Sequence, residues 1–140
     1  MPVYRCSVPI GVIADEHRQP LATAITDIHV EVTGAPRHFV SVVFEERPTG
    51  VTFTGGRPAE PTIISGFVRA GREREARGAL LSRISAAWCE ITGQRPDQLV
   101  LGLIELDPTS TMEAGLIMPA PGEEAAWVEE HREALGALLA

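Results

Sequence analysis

The stretch that decides the fold is residues 63–106, which read IISGFVRAGREREARGALLSRISAAWCEITGQRPDQLVLGLIEL. It opens with the β-prone run Ile63 to Val68 and closes with a second one, Leu99 to Leu106. Between these runs, apolar residues recur at helical spacing as far as the helix stop Gly93: Leu80, Ile84, Ala87, Trp88 and Ile91. The order strand, helix, strand predicts a βαβ unit, in which the two strands run parallel and the crossover is right-handed.

The preceding part of the chain has the same order of elements. Val3 to Val8 and Phe39 to Phe44 are β-prone runs. Between them, apolar residues again recur at helical spacing: Leu21, Ala24, Ile25, Ile28 and Val32. Gly34 follows as the predicted helix stop. Pro20 lies early in this pattern, so the helix either begins near Gln19 with the proline in its first turn or has a distorted first turn.

The two βαβ units align with each other. An offset of 59 residues pairs Val32-Thr33-Gly34 with Ile91-Thr92-Gly93, Ile25 with Ile84, Glu46 with Glu105, and Pro2 with Pro61. The alternative is a chance agreement between two ordinary βαβ units. We expect one domain over residues 1–140, with pseudo-repeat units at roughly 2–46 and 61–106 and a C-terminal tail at 107–140.

These elements predict an α/β (α+β) fold, in which two βαβ units form a four-stranded sheet with both helices on one face. The uncovered face of such a sheet would be apolar, so we expect further copies of the chain to cover it. Pro48 to Gly56 is rich in turn formers and predicts a small hairpin around Val51 to Phe53.

The tail ends in a short predicted helix. Its apolar residues are Trp127, Val128, Leu135, Leu138 and Leu139. This pattern predicts packing or an oligomer contact rather than chemistry.

Composition excludes several classes of function. The formal net charge of −7 disfavours nucleic acid and anionic membranes as partners. All twelve basic residues are arginine, so the chain has no lysine for a Schiff base or a P-loop, and its N-terminus is its only amine. No apolar run approaches the ~18 residues of a membrane span. The N-terminus lacks the pattern of a signal peptide, so we expect a cytoplasmic protein.

Neither the cysteines nor the histidines indicate a cofactor. Cys6 and Cys89 are far apart in a chain with no export signal, so we expect free buried thiols. The four histidines and two cysteines lack the spacing of metal ligands. There is no G-x-S-x-G motif and no convincing glycine-rich nucleotide loop. We therefore expect no metal and no other cofactor.

The N-terminus is a candidate catalytic group. Methionine before a small residue is normally removed, which would leave Pro2 with a free secondary amine. An α-amino group has a pKa of ~8, which burial lowers toward neutrality and a nearby carboxylate raises. A general acid or base works best with a pKa near the working pH. The alternative is that Met-Pro is a common start with no role.

Short motifs along nearly the whole chain occur in a recognisable order. They are Met1-Pro2-Val3-Tyr4, Ala24 to His29, Arg69-Ala70-Gly71-Arg72, Met112 to Gly115, and Pro119 to Gly122 followed by Trp127. Together they resemble the tautomerase superfamily, and within it the cis-3-chloroacrylic acid dehalogenase group. The resemblance implies a tautomerase-type fold, a cofactor-free enzyme acting on a small carboxylate, and a homotrimer with active sites near the N-terminal prolines.

The resemblance also implies roles for individual residues. Pro2 corresponds to the catalytic proline, and His29 to a histidine that helps hold the substrate carboxylate. Arg69 and Arg72 correspond to paired arginines that bind and polarise that carboxylate. Glu113 corresponds to the glutamate that activates water in hydrating members.

One position departs from the family pattern. The hydrating members have a tyrosine three residues before a glutamate in the last long strand, where this chain has Gly102 before Glu105. A glycine cannot position or activate water as a tyrosine does, so the departure disfavours water addition.

Each of these residues also has a plainer interpretation. Arg69 is expected to end a strand and Arg72 to open a helix, where two guanidinium groups beside a helix N-terminus would clamp a carboxylate. The arginines could instead belong to a solvated face that is paired with glutamates. His29 could be a hydrogen-bonded boundary residue, and Glu113 an idle surface glutamate, although burial near Pro2 would raise its pKa.

Three functions remain open at this point. The leading one is keto–enol proton transfer by Pro2 on a small unsaturated or 2-keto carboxylate. The first alternative is water addition of the cis-3-haloacrylate dehalogenase or hydratase type, with Glu113 activating the water. The second alternative is a non-catalytic oligomer that binds a small carboxylate or only assembles.

Overall fold

The computed structural model describes residues 1–139, without the side chains of residues 137–139. Its centre is a four-stranded sheet of β1 (Val3–Pro9), β2 (Ser41–Arg47), β5 (Thr62–Arg69) and β6 (Leu99–Leu106), in the order β2-β1-β5-β6. β1 is parallel to β2, β5 is parallel to β6, and the central pair β1 and β5 is antiparallel. The predicted fold of two βαβ units is confirmed.

Two long helices, α1 (Asp15–Thr33) and α2 (Arg74–Thr92), cover one face of the sheet. The strands alternate, so Tyr4, Cys6 and Val8 of β1 all point into the core that the helices close. The helices contribute the following buried residues to that core: Leu21, Ile25, Ile28, Leu80, Ile84 and Trp88. Burial of this one stripe on each helix explains the helical spacing in the sequence.

Both helices end at the predicted glycines. Gly34 has φ of 70° and Gly93 has φ of 76°, a left-handed conformation that a residue without a Cβ adopts at low cost. In each case the glycine N–H donates to the carbonyl four residues back, on Val30 and Cys89. The matching C-terminal caps agree with the internal offset seen in the sequence.

Three boundaries differ from the expectations. Of the two alternatives for α1, the start near Gln19 is wrong, because the helix begins at Asp15 and Pro20 lies inside it. Pro20 removes a single backbone donor close to the helix start, which the packing of the buried stripe outweighs. Phe39 lies in a 3₁₀ turn before β2 rather than in the strand. α2 begins at Arg74, with Glu73 as its N-cap, so Arg72 lies in the preceding turn and does not open the helix.

Short elements follow or interrupt the βαβ units. The hairpin predicted near Val51 to Phe53 is formed by β3 (Phe53–Thr54) and β4 (Arg57–Pro58). The tail contains a second hairpin, β7 (Met112–Glu113) and β8 (Leu116–Ile117), and then α3 (Glu124–Glu130) and α4 (Arg132–Leu139). The predicted apolar contribution of Leu138 and Leu139 lies outside the described side chains.

The sheet face opposite the helices is open in the single chain and carries exposed apolar side chains on both edge strands, with the Arg5–Glu45 ion pair between them. Val100 and Ile104 of β6 are 56% and 46% exposed, and Val43 of β2 is 39% exposed. Gly102 lies between the two β6 residues on this face, opposite Ser65 of β5. An apolar surface of this kind marks an interaction site in soluble proteins.

No helix within residues 1–139 combines the length and apolar character needed to cross a membrane. Cys6 and Cys89 are free thiols, as predicted; Cys6 is buried and Cys89 only partly so.

Candidate active site

A pocket lies where the N-terminus meets the end of β5. The antiparallel register pairs Val3 with Phe67, so Pro2 is placed beside the last residues of β5, which ends at Arg69. The Pro2 carbonyl accepts a hydrogen bond from Ser41 N at 3.0 Å, which fixes it at the start of β2. Sheet topology therefore brings Pro2 close to Arg69, although the two residues are far apart in the sequence.

Four of the five residues predicted for the site line this one pocket. These are Pro2, His29, Arg69 and Arg72. The fifth, Glu113, does not line it but contacts the N-terminus at its edge, where Glu113 Oε2 lies 2.6 Å from the Met1 ammonium nitrogen.

The N-terminal amine is held in a partly buried position. Met1 lines the pocket, and while it is attached the Pro2 nitrogen belongs to a peptide bond. Burial lowers the pKa of the Met1 amine below its ordinary value, and the nearby Arg69 lowers it further, whereas the hydrogen bond and charge of Glu113 act in the opposite direction. The surroundings of the pocket thus perturb the pKa of the Met1 amine.

Arg69 and Arg72 form a partly buried pair of cations. The Arg69 side chain is 10% exposed, donates to the carbonyl of Pro119 and lies 3.3 Å from Glu124 through Nη1. Arg72 Nη1 donates to the carbonyl of Thr33 at 2.9 Å, at the end of α1. Burial, and after it the charge of Arg69, lowers the pKa of Arg72 below its ordinary value.

The two guanidinium groups have unused donors. Within the part of the chain that the structure describes, the buried Nε atoms of Arg69 and Arg72 have no hydrogen-bond partner. A buried donor without a partner costs about 1–3 kcal/mol. An anion bound in the pocket would remove that cost, because guanidinium forks match the geometry of a carboxylate.

His29 is both a core residue and a pocket residue. It is 2% exposed, and its Nδ1 lies 2.8 Å from the hydroxyl of the fully buried Tyr4. Burial, followed by the charges of Arg72 and the N-terminus, lowers the pKa of His29 to about 4, so the imidazole is neutral at pH 7. The two interpretations of this histidine that the sequence left open are therefore compatible.

The hydrogen bond to Tyr4 sets the tautomer of His29. Burial raises the pKa of Tyr4 above its ordinary value, so its hydroxyl keeps its proton. Among residues 1–139 the hydroxyl has no other hydrogen-bond partner, so we assign it as the donor to Nδ1. The remaining proton of the neutral ring is then on Nε2. Tyr4 was not predicted as a site residue, although strand alternation places it on the buried face beside His29.

The tail supplies the part of the pocket that sequence reasoning missed. Glu124, Trp127 and Val128 share one face of α3 and line the pocket, because residues three and four apart on a helix are neighbours. Phe39 and Met118 pack with Trp127 in a second apolar cluster and line it as well. The prediction that this part of the tail packs is confirmed, and the same face of α3 also lines the pocket.

Gly102 does not line the pocket. A Cβ at this position would meet nothing within 4 Å, so a larger side chain would fit there in the single chain.

Within residues 1–139 no cluster of three or more His, Cys, Asp or Glu side chains could hold a metal ion.

A family model and solved structures match this chain. The family model described as "Putative oxalocrotonate tautomerase enzyme" matches residues 1–132. N1, a member of the cis-3-chloroacrylic acid dehalogenase family, is 27% identical with a TM-score of 0.91, over 98% of this chain and 97% of its own. Native Ps01740 is 37% identical with a TM-score of 0.77, over 79% of this chain and 99% of its own.

Two further structures add information about ligands and assembly in similar proteins. Pt0534, solved after inactivation by 2-oxo-3-pentynoate, is 25% identical with a TM-score of 0.75, over 83% of this chain and 94% of its own. A fused 4-OT described as a symmetric trimer is 22% identical with a TM-score of 0.78, over 86% of this chain and 98% of its own, and shows the shared fold. No curated protein matches this chain.

Proposed function

Since this chain belongs to the tautomerase superfamily, in the family whose model matches residues 1–132, we propose that it is a cofactor-free enzyme. The reaction is keto–enol tautomerisation of a small 2-keto or unsaturated carboxylate. Pro2, after removal of Met1, is the group that moves the protons. The observation that carries the proposal is the pocket that Pro2 shares with the unpartnered buried donors of Arg69 and Arg72. A carboxylate bound to these donors would hold the adjacent carbons beside the proline nitrogen.

The proposed reaction needs one group that both accepts and donates a proton. The Pro2 nitrogen accepts the proton of the enol hydroxyl and returns a proton to the carbon that gains a C–H bond, so no net charge or electron is transferred. Arg69 and Arg72 bind the carboxylate, and neutral His29 contributes its Nε2–H as a further donor. Burial, and the charge of Arg69 after it, lowers the pKa of an N-terminal amine at this position against the opposing effect of Glu113, which suits an amine to this task.

Water addition is the second candidate, and Glu113 is the observation that favours it. Its carboxylate lies 2.6 Å from the amine of Met1, so removal of Met1 would leave it without that partner and close to the Pro2 nitrogen. A carboxylate there would raise the pKa of Pro2 and could activate water. Gly102 counts against this candidate through the family pattern alone, since the position faces the open side of the sheet and does not line the pocket.

The open sheet face supports a proposal about assembly. Val43, Val100 and Ile104 would leave water in an oligomer, which stabilises association by about 25 cal/mol per Å² of apolar surface buried. We propose a homotrimer, in agreement with the symmetric trimer described for the fused 4-OT.

The proposal is tested by following the reaction with proton NMR. Purified protein, shown by intact mass to lack Met1, is incubated with the enol of a 2-keto acid and, separately, with cis-3-chloroacrylate. The Pro2→Ala variant replaces the rigid secondary amine of the ring by a mobile primary amine, so it should ketonise the enol more slowly, by up to about the 100-fold that general acid–base catalysis contributes. Pro61→Ala is the matched control, since Pro61 is the counterpart of Pro2 in the other βαβ unit and lies outside the pocket.

Each outcome has a defined meaning. Fast ketonisation with unchanged chloroacrylate supports the tautomerase. Loss of chloroacrylate supports water addition through Glu113. If the two proteins react alike and faster than the protein-free reaction, the role of Pro2 is rejected; if neither accelerates either reaction, catalysis on these compounds is rejected.

A further inference from the structure

Tyr4 does not line the pocket but contacts His29, which does. Its side chain is fully buried in β1, and its hydroxyl lies 2.8 Å from Nδ1 of His29. The two rings meet edge-on, with centroids 5.7 Å apart and planes at 71°. The proposed reaction uses His29 as a donor but does not involve this tyrosine.

The second βαβ unit shows how the equivalent position is built where no ligand is proposed to bind. The offset of 59 residues pairs His29 with Trp88. The local backbone is alike in the two units, because the hydroxyls of Thr33 and Thr92 each donate to the carbonyl of the aromatic residue at 2.7 Å. Trp88, however, donates its only N–H to Gln94 at 2.8 Å. The second unit therefore keeps its ring N–H inside the protein.

The first unit leaves a ring nitrogen unused. Nδ1 of His29 faces Tyr4, whereas Nε2 has no hydrogen-bond partner within residues 1–139. Burial lowers the pKa of His29 to about 4, so the ring carries a single N–H at pH 7. Because the tyrosine hydroxyl donates to Nδ1, that N–H is on Nε2 and is available to a ligand in the pocket.

The opposite tautomer is disfavoured at both nitrogens. With the proton on Nδ1, the Tyr4 hydroxyl would have to accept, and its own hydrogen would lack an acceptor among the described residues. Nε2 would then present a lone pair to the pocket. A lone pair repels the carboxylate that Arg69 and Arg72 are proposed to bind.

We propose that Tyr4 is a positioning residue, whose hydroxyl fixes His29 as an Nε2–H donor to the bound carboxylate. The inference rests on the proposed function for the identity of the ligand as a carboxylate. It adds the residue that makes the histidine a donor rather than an acceptor. Because the ring stays neutral, this donor adds a hydrogen bond without a third cation beside Arg69 and Arg72.

Nitrogen NMR of isotope-labelled histidine tests the tautomer without any ligand, because a protonated ring nitrogen and an unprotonated one give different signals. In protein that lacks Met1, we expect His29 at pH 7 to have a protonated Nε2 and an unprotonated Nδ1. The His29→Leu variant identifies the signals by their loss. Tyr4→Phe should lower the fraction of rings with the proton on Nε2. A protonated Nδ1 in the unsubstituted protein overturns the inference.

Formate, the smallest carboxylate, tests the consequence for binding. The pocket has a volume of about 20 Å³, room for about one water molecule. Met1 lines it, so removal of Met1 enlarges the space for a ligand. In calorimetry, Tyr4→Phe should weaken formate binding about threefold to tenfold, the contribution of one neutral hydrogen bond.

A double-mutant cycle shows whether Tyr4 acts through His29. In a His29→Leu background, Tyr4→Phe should leave formate binding unchanged, because the imidazole that the hydroxyl orients is absent. The double variant replaces both partners of a buried hydrogen bond by apolar groups, so we expect it to fold. An equal loss of affinity in both backgrounds overturns the positioning role.

Thr62→Val is the matched control for the loss of a buried hydroxyl. Thr62 is fully buried in β5, and its hydroxyl donates to Gln94 at 2.8 Å, away from the pocket. The substitution should lower stability in urea but leave the His29 signals and the formate affinity unchanged. A loss of formate affinity equal to that of Tyr4→Phe would make the effect a general one of buried hydroxyls and would overturn the inference.

The results separate this inference from the proposed function, because neither the tautomer nor formate binding requires turnover. If Tyr4→Phe changes neither of them, or if formate does not bind at all, the inference is overturned even in an active enzyme. A Tyr4-dependent Nε2–H donor that strengthens formate binding, in a protein with no Pro2-dependent turnover, supports the inference and rejects the tautomerase.

Discussion

Acidification should destabilise this protein through His29. The folded-state pKa of His29 is about 4, whereas its ordinary value is 6.5. The unfolded chain therefore binds a proton at this residue between these two pH values, and the folded chain does not. Each pH unit in that window costs about 1.4 kcal/mol, so the free energy of unfolding should fall by about 3 kcal/mol as the pH drops from 6.5 to 4.

The direction of this change in stability with pH follows from the surroundings of the His29 imidazole. Its neighbours are the Tyr4 hydroxyl, the Arg72 guanidinium and the N-terminal amine, and neither cation favours a charged ring. His29 is also almost fully buried, so its charged form loses hydration. The stability that the neutral ring provides is complete above pH 6.5 and is lost as the pH falls toward 4.

The assay is urea unfolding at pH 7, 6, 5 and 4, followed by fluorescence and circular dichroism. Protein concentration is fixed, because assembly makes stability depend on it. The His29→Gln variant cannot gain this proton, and its amide oxygen can still accept from Tyr4. His38→Gln, which removes an exposed histidine, is the matched control.

The comparison of variants isolates His29 from the carboxylates that titrate in the same range. The difference in unfolding free energy between the unsubstituted protein and His29→Gln should shrink by about 3 kcal/mol from pH 7 to pH 4. His38→Gln should leave that pH dependence unchanged. Parallel curves for the unsubstituted protein and His29→Gln would refute the assignment of a buried, neutral imidazole.

Other substitutions test the core, the open sheet face and the arginine pair of the pocket. Gly66→Ala should lower the free energy of unfolding by about 1–3 kcal/mol in urea, since a Cβ there would lie 2.7 Å from Cε1 of Tyr4; an unchanged midpoint would contradict that packing. Ile104→Asp should shift the protein to a smaller species in light scattering, because it places a charge on the open face, and an unaltered mass would exclude that face as the interface. Glu124→Gln should lower KM for a carboxylate by about twofold to fivefold at constant kcat, because Glu124 lies 3.3 Å from Arg69 and competes with the substrate; a higher KM would mean that Glu124 positions the arginine instead.

Much of the fold was predictable because its signals are local. The stripe that ends at Gly93 predicted α2 and its stop, and the branched apolar run Leu99 to Leu106 predicted β6 with its observed bounds. Boundaries failed where a local preference conflicted with packing. Pro20 lies inside α1 although proline disfavours a helix interior. Arg72 lies before α2, where its guanidinium donates to the carbonyl of Thr33.

The candidate site was predictable only in part. Pro2, His29, Arg69 and Arg72 came from motifs along the chain, and the structure places all four in one pocket. The same reasoning missed the opposite wall. A buried tryptophan on an apolar helix side looks the same whether it only packs or also faces a ligand.

The sequence by itself determined the order of the βαβ units, the helix stops and the identity of the cationic residues, because backbone preference and hydrophobic period are properties of neighbouring residues. Only the tertiary structure decided that α3 returns to the N-terminus, that Glu124 meets Arg69, and that Trp127 faces the same pocket as Pro2. Those contacts join residues far apart in the chain. They depend on the path of the tail across the folded protein, which no local pattern encodes.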